Sequence, residues 1–211
     1  MKLNLGCGYV PLEGWVNVDS DPACRPDRVA QAHDLPFDAG SAEEIKALQL
    51  VEHLGFFKTR YFLAECWRVL APGGRLTLET PDIETAFRTF LGGDRAVKEA
   101  ALGWIYGAET AGMNHLYCFP KELLAELLAG AGFEVRETSG FLCQPSRPAL
   151  RFSAVKTTGE RPSLNSALRR RLLDAGLPCF VSEPYAAWQE EVISAILAAH
   201  GSQEKVFEQA L

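Results

Sequence analysis

Short apolar runs alternate with amphipathic stretches over roughly the first 80 residues of the chain. Apolar runs of four to seven residues that end at a glycine, proline or acid are typical of buried strands. Apolar residues at helical spacing over residues 56–70, ended by the sequence Ala-Pro-Gly-Gly, predict a helix before the last of these runs. The predicted strands are residues 2–5, 15–19, 45–51 and 75–80.

The pattern is helical again over residues 82–107, with a break at Gly92 and Gly93. A further helix is predicted over residues 120–131, because Pro120 suits a first turn and Gly132 a helix end. Two more strands, residues 133–138 and 150–155, are separated only by a loop. Because this link is too short for a parallel crossover, these strands should pair antiparallel or not at all.

Alternating strands and helices predict an α/β fold, with a mostly parallel sheet and helices on both faces. The composition changes after Lys156, and residues 157–162 have the character of a linker. We therefore predict a domain over residues 1–158 and a helical C-terminal extension over 159–211. Its apolar side chains at helical spacing should pack on the core or form a homodimer interface; they are Tyr185, Trp188, Val192 and Ile196.

Charge and cysteine usage exclude several classes of function. The net charge is −6, and the dense basic cluster at residues 169–171 would spread around a helix, so we expect no nucleic-acid partner. The chain starts without a basic-then-apolar leader, and no apolar run reaches about 20 residues, so we expect a cytoplasmic protein without membrane contact. The six cysteines form no C-x-x-C pair, so we expect no metal.

The loop after the first predicted strand carries Gly6 and Gly8. Glycine lets the backbone approach a ligand closely, and in open α/β sheets ligands bind at the carboxyl ends of strands. Asp19 ends the second predicted strand, where a carboxylate can accept hydrogen bonds from both hydroxyls of a ribose. The three residues together predict a nucleoside site.

The spacing of this loop argues against a dinucleotide. The third glycine of a dinucleotide loop is replaced by Pro11, and only ten residues separate Gly8 from Asp19, where about 20 are usual. There is no room for a full-length first helix whose N-terminus would face a pyrophosphate. The loop therefore suits a ligand without a pyrophosphate, such as S-adenosylmethionine (SAM).

Residues 3–8 (LNLGCG) and 14–19 (GWVNVD) resemble the opening of class I SAM-dependent methyltransferases. The similarity is greatest to a bacterial group of predicted methyltransferases, methyltransferase type 11-like, with a shortened first helix. It covers about residues 1–156 and implies a Rossmann-like sheet of seven strands with the last strand antiparallel. Further matching segments are residues 33–37 (HDLPF), 51–54 (VEHL), 65–74 (ECWRVLAPGG) and 115–119 (HLYCF).

The resemblance implies roles for individual residues. Asp34, with Leu35, would read the adenine amino group, and Val51 and Glu52 would lie beside the methionine portion of SAM. Asn4 stands where the family usually carries an acid, so it can hydrogen-bond but supplies no charge. The implied cofactor-binding residues are Asn4, Gly6, Gly8, Asp19, Asp34, Leu35, Val51 and Glu52.

Methyl transfer from a sulfonium is an in-line displacement that requires no metal, but a hydroxyl acceptor must lose a proton. His53 is the candidate base, because an imidazole titrates near neutral pH. The alternative is a histidine that caps the following helix or hydrogen-bonds to the backbone. His115 and Tyr117 are further candidates for the base and for contact with the acceptor.

The sequence thus predicts transfer of a methyl group from SAM to a small molecule, such as a sugar or another metabolite. Two alternatives stay open. The chain could be a non-catalytic SAM-binding or interaction protein with a methyltransferase fold, or an NAD-linked oxidoreductase.

Overall fold

The computed structural model describes residues 1–110 and 112–157, apart from the side chain of Phe57. The chain divides into two units, Met1–Glu160 and Arg161–Leu211. The predicted C-terminal extension, with its apolar stripe and homodimer interface, lies outside the described residues. The domain boundary predicted at residue 158 therefore stays a prediction.

In the part of the chain that the structure describes, seven strands form one sheet in the order β3-β2-β1-β4-β5-β7-β6. The pairs from β3 to β5 are parallel, and β7 runs antiparallel between β5 and β6. This mostly parallel sheet, flanked by helices and carrying an antiparallel last strand, confirms the predicted fold class. The strands are Lys2–Leu5 (β1), Val16–Asp19 (β2), Arg28–Val29 (β3), Ala42–Leu48 (β4), Leu70–Pro81 (β5), Phe133–Cys143 (β6) and Arg147–Lys156 (β7).

Three strand predictions need correction. β4 ends at Leu48, and residues 49–51 leave the sheet, so Val51 begins a helix instead of ending a strand. The two-residue strand β3 was not predicted. Both of its residues are exposed, so the sequence carries no apolar run there that would indicate a strand. β6 and β7 extend through most of the predicted loop 139–149, because an antiparallel pair needs only a tight turn.

Four α-helices accompany the sheet within residues 1–110 and 112–157. The break predicted at Gly92 and Gly93 is present: α2 ends there and α3 begins after Asp94. Asp82 and Asp94 cap α2 and α3, because each side chain accepts a backbone N–H of the first turn. The helices are Val51–Val69 (α1), Ile83–Gly92 (α2), Arg95–Tyr106 (α3) and Lys121–Gly130 (α4).

Residues 6–15 form turns instead of a helix, as their length predicts. Trp15 lies against the sheet there, with the ammonium groups of Lys2 and Lys46 at 5.6 Å and 4.6 Å from its ring centre. The loop therefore runs from the carboxyl end of β1 to the amino end of β2, where Trp15 lies beside Lys2. No helix in residues 1–110 or 112–157 has the length and apolarity of a membrane span.

Candidate functional site

The glycine loop and Asp19 lie together at the carboxyl ends of β1 and β2. Gly8 donates its backbone N–H to Asp19 Oδ2 at 2.8 Å, and Asp21 donates to Asp19 Oδ1 at 2.9 Å. Gly6 and Gly8 both have positive φ, at 67° and 49°. A side chain on Gly8 would meet nothing within 4 Å, whereas one on Gly6 would overlap Leu50. The loop thus leaves open space beside a carboxylate, which fits a ligand carrying hydroxyls.

A buried polar network supports this loop from below. Asn4 is 3% exposed and donates from Nδ2 to Asn17 Oδ1 at 2.9 Å. The Asn17 side chain also holds the loop backbone at Leu12 and donates to Asp27 Oδ2. Asn4 therefore joins the sheet to the loop through a hydrogen bond, and contact between Asn4 and a cofactor stays a prediction.

The segment 33–37 is held by two charged residues of α1. Glu65 Oε2 accepts the backbone N–H of Leu35 at 2.8 Å, and Arg68 donates to the carbonyls of Leu35 and Phe37. Glu65 and Arg68 also form an ion pair at 2.7 Å, and hydrogen bonding to Glu65 raises the pKa of Arg68. Both residues belong to the family-like segment 65–74, but this role was not predicted for them, although a spacing of three is typical of a helical ion pair.

Asp34 lies on the turn that this ion pair holds, with its backbone N–H bonded to Gln31. Its side chain is exposed, so it is accessible to a ligand, while the side chain of Leu35 is buried. Contact of either residue with adenine stays a prediction.

Gln49 follows β4 at the same edge of the sheet and was not predicted as a site residue. Its φ is 56°, which is uncommon for a residue with a Cβ. Both polar atoms of its side-chain amide are buried and have no hydrogen-bond partner among the described residues. An orphaned amide on a strained backbone is typical of a ligand-binding position. Sequence gives no signal for it, because backbone strain leaves no mark on residue type.

Glu52 is fully buried in the first turn of α1. Thr80 Oγ1 donates to Glu52 Oε2 at 3.2 Å, and Glu52 Oε1 has no partner among the described residues. Burial raises the pKa of Glu52 to about 8, while the Thr80 bond and the charge of Arg147 oppose this shift. A carboxyl that titrates near neutral pH suits proton transfer or charge binding.

A break in α1 brings a distant loop onto this first turn. Gly55 has φ 76° and ψ 176°, which separates the turn from the rest of the helix. The backbone N–H groups of Leu116 and Tyr117 then donate to the Glu52 carbonyl at 2.8 Å and 3.2 Å. A side chain at Gly55 would crowd Leu116, with contacts of 3.3 Å. Glycine therefore allows the two segments to meet.

His53 and His115 meet edge to face, with ring centres 5.0 Å apart. Nδ1 of His53 lies 3.0 Å from the Asn114 carbonyl, so the backbone hydrogen bond foreseen as the alternative is present. Nδ1 of His115 lies 3.2 Å from the Ile105 carbonyl. Burial, together with the charges of His53 and Arg147, lowers the pKa of His115 to about 4, so this ring is neutral at pH 7.

Tyr117 lies beside this cluster, in ring contact with Phe56 at 5.4 Å and with Phe119 at 4.8 Å. The structure therefore assembles two groups at one sheet edge. The first surrounds Asp19 and the glycines, and the second joins Glu52 to His53 and His115. The side chain of Val51, which directly precedes Glu52, is fully buried, and its contact with a cofactor stays a prediction.

A family model described as a methyltransferase domain matches residues 13–78. The fold is similar to a SAM-dependent methyltransferase of Methanosarcina mazei, with TM-score 0.58 and 17% identity, over 75% of this chain and 92% of that one. It is also similar to a SAM-dependent methyltransferase of Thermotoga maritima, with TM-score 0.54 and 17% identity, over 74% and 82%. The 4+2 cyclase SpnF has the same fold, with TM-score 0.52 and 17% identity, over 75% and 74%.

No curated protein matches the chain in sequence. The structural similarities confirm the class of fold, and the family model agrees with the methyltransferase resemblance of the sequence. Together they support SAM as the cofactor. The cyclase shows that this fold also serves a reaction other than methylation.

Proposed function

We propose that this chain, whose fold is that of the class I SAM-dependent methyltransferases, transfers a methyl group from SAM to a small-molecule acceptor. The observation that carries the proposal is the paired site at one sheet edge: a glycine loop bonded to Asp19, beside a cluster of titratable side chains formed by the buried Glu52 and two half-buried histidines. The fold supplies the cofactor class, and the cluster supplies groups that can take part in catalysis.

The proposed cofactor site has residues suited to each part of SAM. Asp19 would accept hydrogen bonds from the ribose hydroxyls, and Gly6 and Gly8 would allow the ligand close to the backbone. Asp34 would accept from the adenine amino group. The orphaned amide of Gln49 would hydrogen-bond to the amino acid portion. When bound, SAM supplies an electrophilic methyl carbon, whose bond to sulfur breaks with the electron pair remaining on sulfur.

The cluster of Glu52, His53 and His115 would lie at the acceptor end of the site. A hydroxyl or amine acceptor loses a proton as its lone pair forms the bond to carbon, and a nearby base must take that proton. His53 is the proposed base, because its Nδ1 faces a carbonyl and Nε2 keeps a lone pair. His115 would hold the His53 ring in position by edge contact. Tyr117 would contact the acceptor.

The surroundings of the cluster favour an acceptor with an apolar part. Met113 and Leu116 are exposed apolar side chains on the loop that carries His115, and Tyr106, whose carbonyl accepts the His115 N–H, is exposed at the end of α3. The net charge of −6 disfavours nucleic acid as the acceptor. We therefore propose a small metabolite, such as a sugar derivative, as the acceptor. The proposal includes a cytoplasmic location and a C-terminal extension that packs on the core or forms a homodimer interface.

Calorimetry on the full chain with SAM and with its demethylated product tests the proposal. A methyltransferase should bind both, whereas an interaction protein that only retains the fold should bind neither. Tight NADH binding without SAM binding would favour an oxidoreductase instead. Tritium-labelled SAM, incubated with a cell extract separated by molecular mass, then tests the acceptor class. Label that appears only on macromolecules would contradict a small-molecule acceptor.

A further inference from the structure

Three potential metal ligands from two segments converge at the first turn of α1. One carboxylate oxygen of Glu52 and one nitrogen of each of His53 and His115 lie within 4.8 Å of one another. We propose that these three side chains bind a divalent first-row transition-metal cation. Only the position of this site at the acceptor end rests on the proposed function, since cation binding requires no SAM.

Both imidazoles are held in the orientation that a metal-binding histidine needs. A carbonyl oxygen only accepts, so Nδ1 of His53 donates to Asn114 and Nδ1 of His115 donates to Ile105. Nε2 of each ring then carries the lone pair. Metal-ligating histidines nearly always donate their other nitrogen to a carbonyl or carboxylate in this way. Backbone hydrogen bonding of His53 is thus compatible with ligation.

Glu52 supplies the second, independent observation. Its side chain is fully buried, and Oε1 has no hydrogen-bond partner among the described residues. An unpaired buried carboxylate oxygen is costly, and a cation would compensate that cost. Thr80 holds the other oxygen at 3.2 Å, so the carboxylate is already oriented by a neighbouring group.

Two imidazoles and one carboxylate suit ions such as Zn²⁺, Co²⁺, Ni²⁺ or Fe²⁺ better than Mg²⁺ or Ca²⁺, which prefer oxygen ligands. Ligands at about 2.1 Å from a tetrahedral ion lie roughly 3.4 Å apart, so side-chain rotations on the order of 1 Å would close the site. Three protein ligands leave a position for water or for an oxygen of the acceptor. With a cation bound, His53 is a ligand instead of the base. The cation then lowers the pKa of the water or acceptor hydroxyl bound to it.

The charge of Arg147 opposes a cation at this site. Its positive charge lowers the pKa of both Glu52 and His115. Removal of this charge should therefore strengthen cation binding. Arg147→Met removes a positive charge and keeps most of the side-chain volume, so it should tighten cation binding several-fold.

Cobalt titration of the full chain, stripped with a chelator and held at pH 8, tests the site. We expect visible d–d absorption that saturates at one Co²⁺ per chain, and Zn²⁺ binding in calorimetry with the same stoichiometry. Glu52→Gln and His115→Gln should each weaken binding by at least about 100-fold, since removal of an outer-shell partner alone often costs 10- to 100-fold. His53→Gln should do the same. Since both histidines are half-buried whereas Glu52 is fully buried, the histidine variants are less prone to misfold than Glu52→Gln.

The matched controls are the other histidines, His33 and His200, whose replacement by glutamine should leave Co²⁺ binding unchanged. Absence of saturable binding, or equal affinity in the ligand variants and the controls, would overturn the proposal. An intense near-ultraviolet thiolate band would overturn the ligand set in favour of Cys118, whose Sγ lies 3.7 Å from His115 Nδ1. SAM calorimetry on the metal-free chain separates failure of this proposal from failure of the proposed function.

Discussion

The backbone N–H of Gly8 donates to the carboxylate of Asp19 at 2.8 Å. Ten residues separate Gly8 from Asp19 in sequence, and the parallel pairing of β1 with β2 brings them to one sheet edge. Asp19 keeps the capacity to accept further hydrogen bonds, because each carboxylate oxygen accepts one backbone N–H and has two lone pairs. Asp19 can therefore order the loop and bind a ribose at the same time.

Asp19→Ala should weaken SAM binding by about 1.5–3 kcal/mol, the usual contribution of hydrogen bonds to a charged group. This corresponds to roughly a 10- to 150-fold higher Kd, measured by calorimetry. Asp21→Ala is the matched control, because Asp21 is an exposed acid that only caps the short turn at Pro22–Cys24. Equal affinity in the two variants would show that Asp19 does not bind the ribose.

Gln49→Gly should separate stability from binding. Glycine relieves the positive φ of Gln49, a gain of about 1 kcal/mol, but it adds a similar entropic cost of folding. Urea denaturation should therefore show a free energy of unfolding within about 1 kcal/mol of the parent. SAM affinity should fall several-fold, because the side-chain amide is lost. Unchanged affinity would mean that the buried amide has no part in cofactor binding.

Glu65→Ala should be strongly destabilising, because it leaves the guanidinium of Arg68 without its partner in a largely buried position. Breaking such a pair costs about 3–5 kcal/mol. Scanning calorimetry should show a Tm lower by about 6–20 °C.

The exposed ion pair between Arg95 and Glu99 offers the control for this variant. Glu99→Ala should leave Tm nearly unchanged, since surface pairs contribute little. The double variant Glu65→Leu with Arg68→Met should lose less than the two single variants together, because the pair is removed as a unit. If the loss of Tm in the double variant equals the sum of the losses in the two single variants, Glu65 and Arg68 are not coupled.

His33 should make the protein less stable in mild acid. Burial, with a smaller effect of Lys58, lowers the pKa of His33 in the folded state. Below the ordinary histidine pKa of about 6.5, the unfolded chain binds a proton that the folded protein binds less readily. The contribution of neutral His33 to the free energy of unfolding is therefore full above pH 6.5 and is lost as the pH falls below it.

Urea denaturation between pH 7.5 and pH 5 measures this effect. The parent should lose more free energy of unfolding over that range than His33→Gln does. Parallel pH profiles for the two proteins would show that His33 titrates normally in the folded state.

The alternation of strands and helices was readable from the residues, since side-chain periodicity reports which faces are buried. The same holds for the break before Asp94, where glycines and a capping acid stand together. Gly6, Gly8 and Asp19 could be placed at one sheet edge because each ends or follows a predicted strand, and the missing first helix followed from the spacing of ten residues.

Other features depended on contacts between segments far apart in sequence. The pairing of His115 with His53 required the break at Gly55 and two backbone bonds to the Glu52 carbonyl. Nothing in the local residue types specifies that contact. The orphaned oxygen of Glu52 and the strained backbone of Gln49 likewise exist only in the folded chain, because burial and dihedral angles are set by packing. Local sequence therefore determined the half of the candidate site around Asp19, and tertiary contacts assembled the half around Glu52.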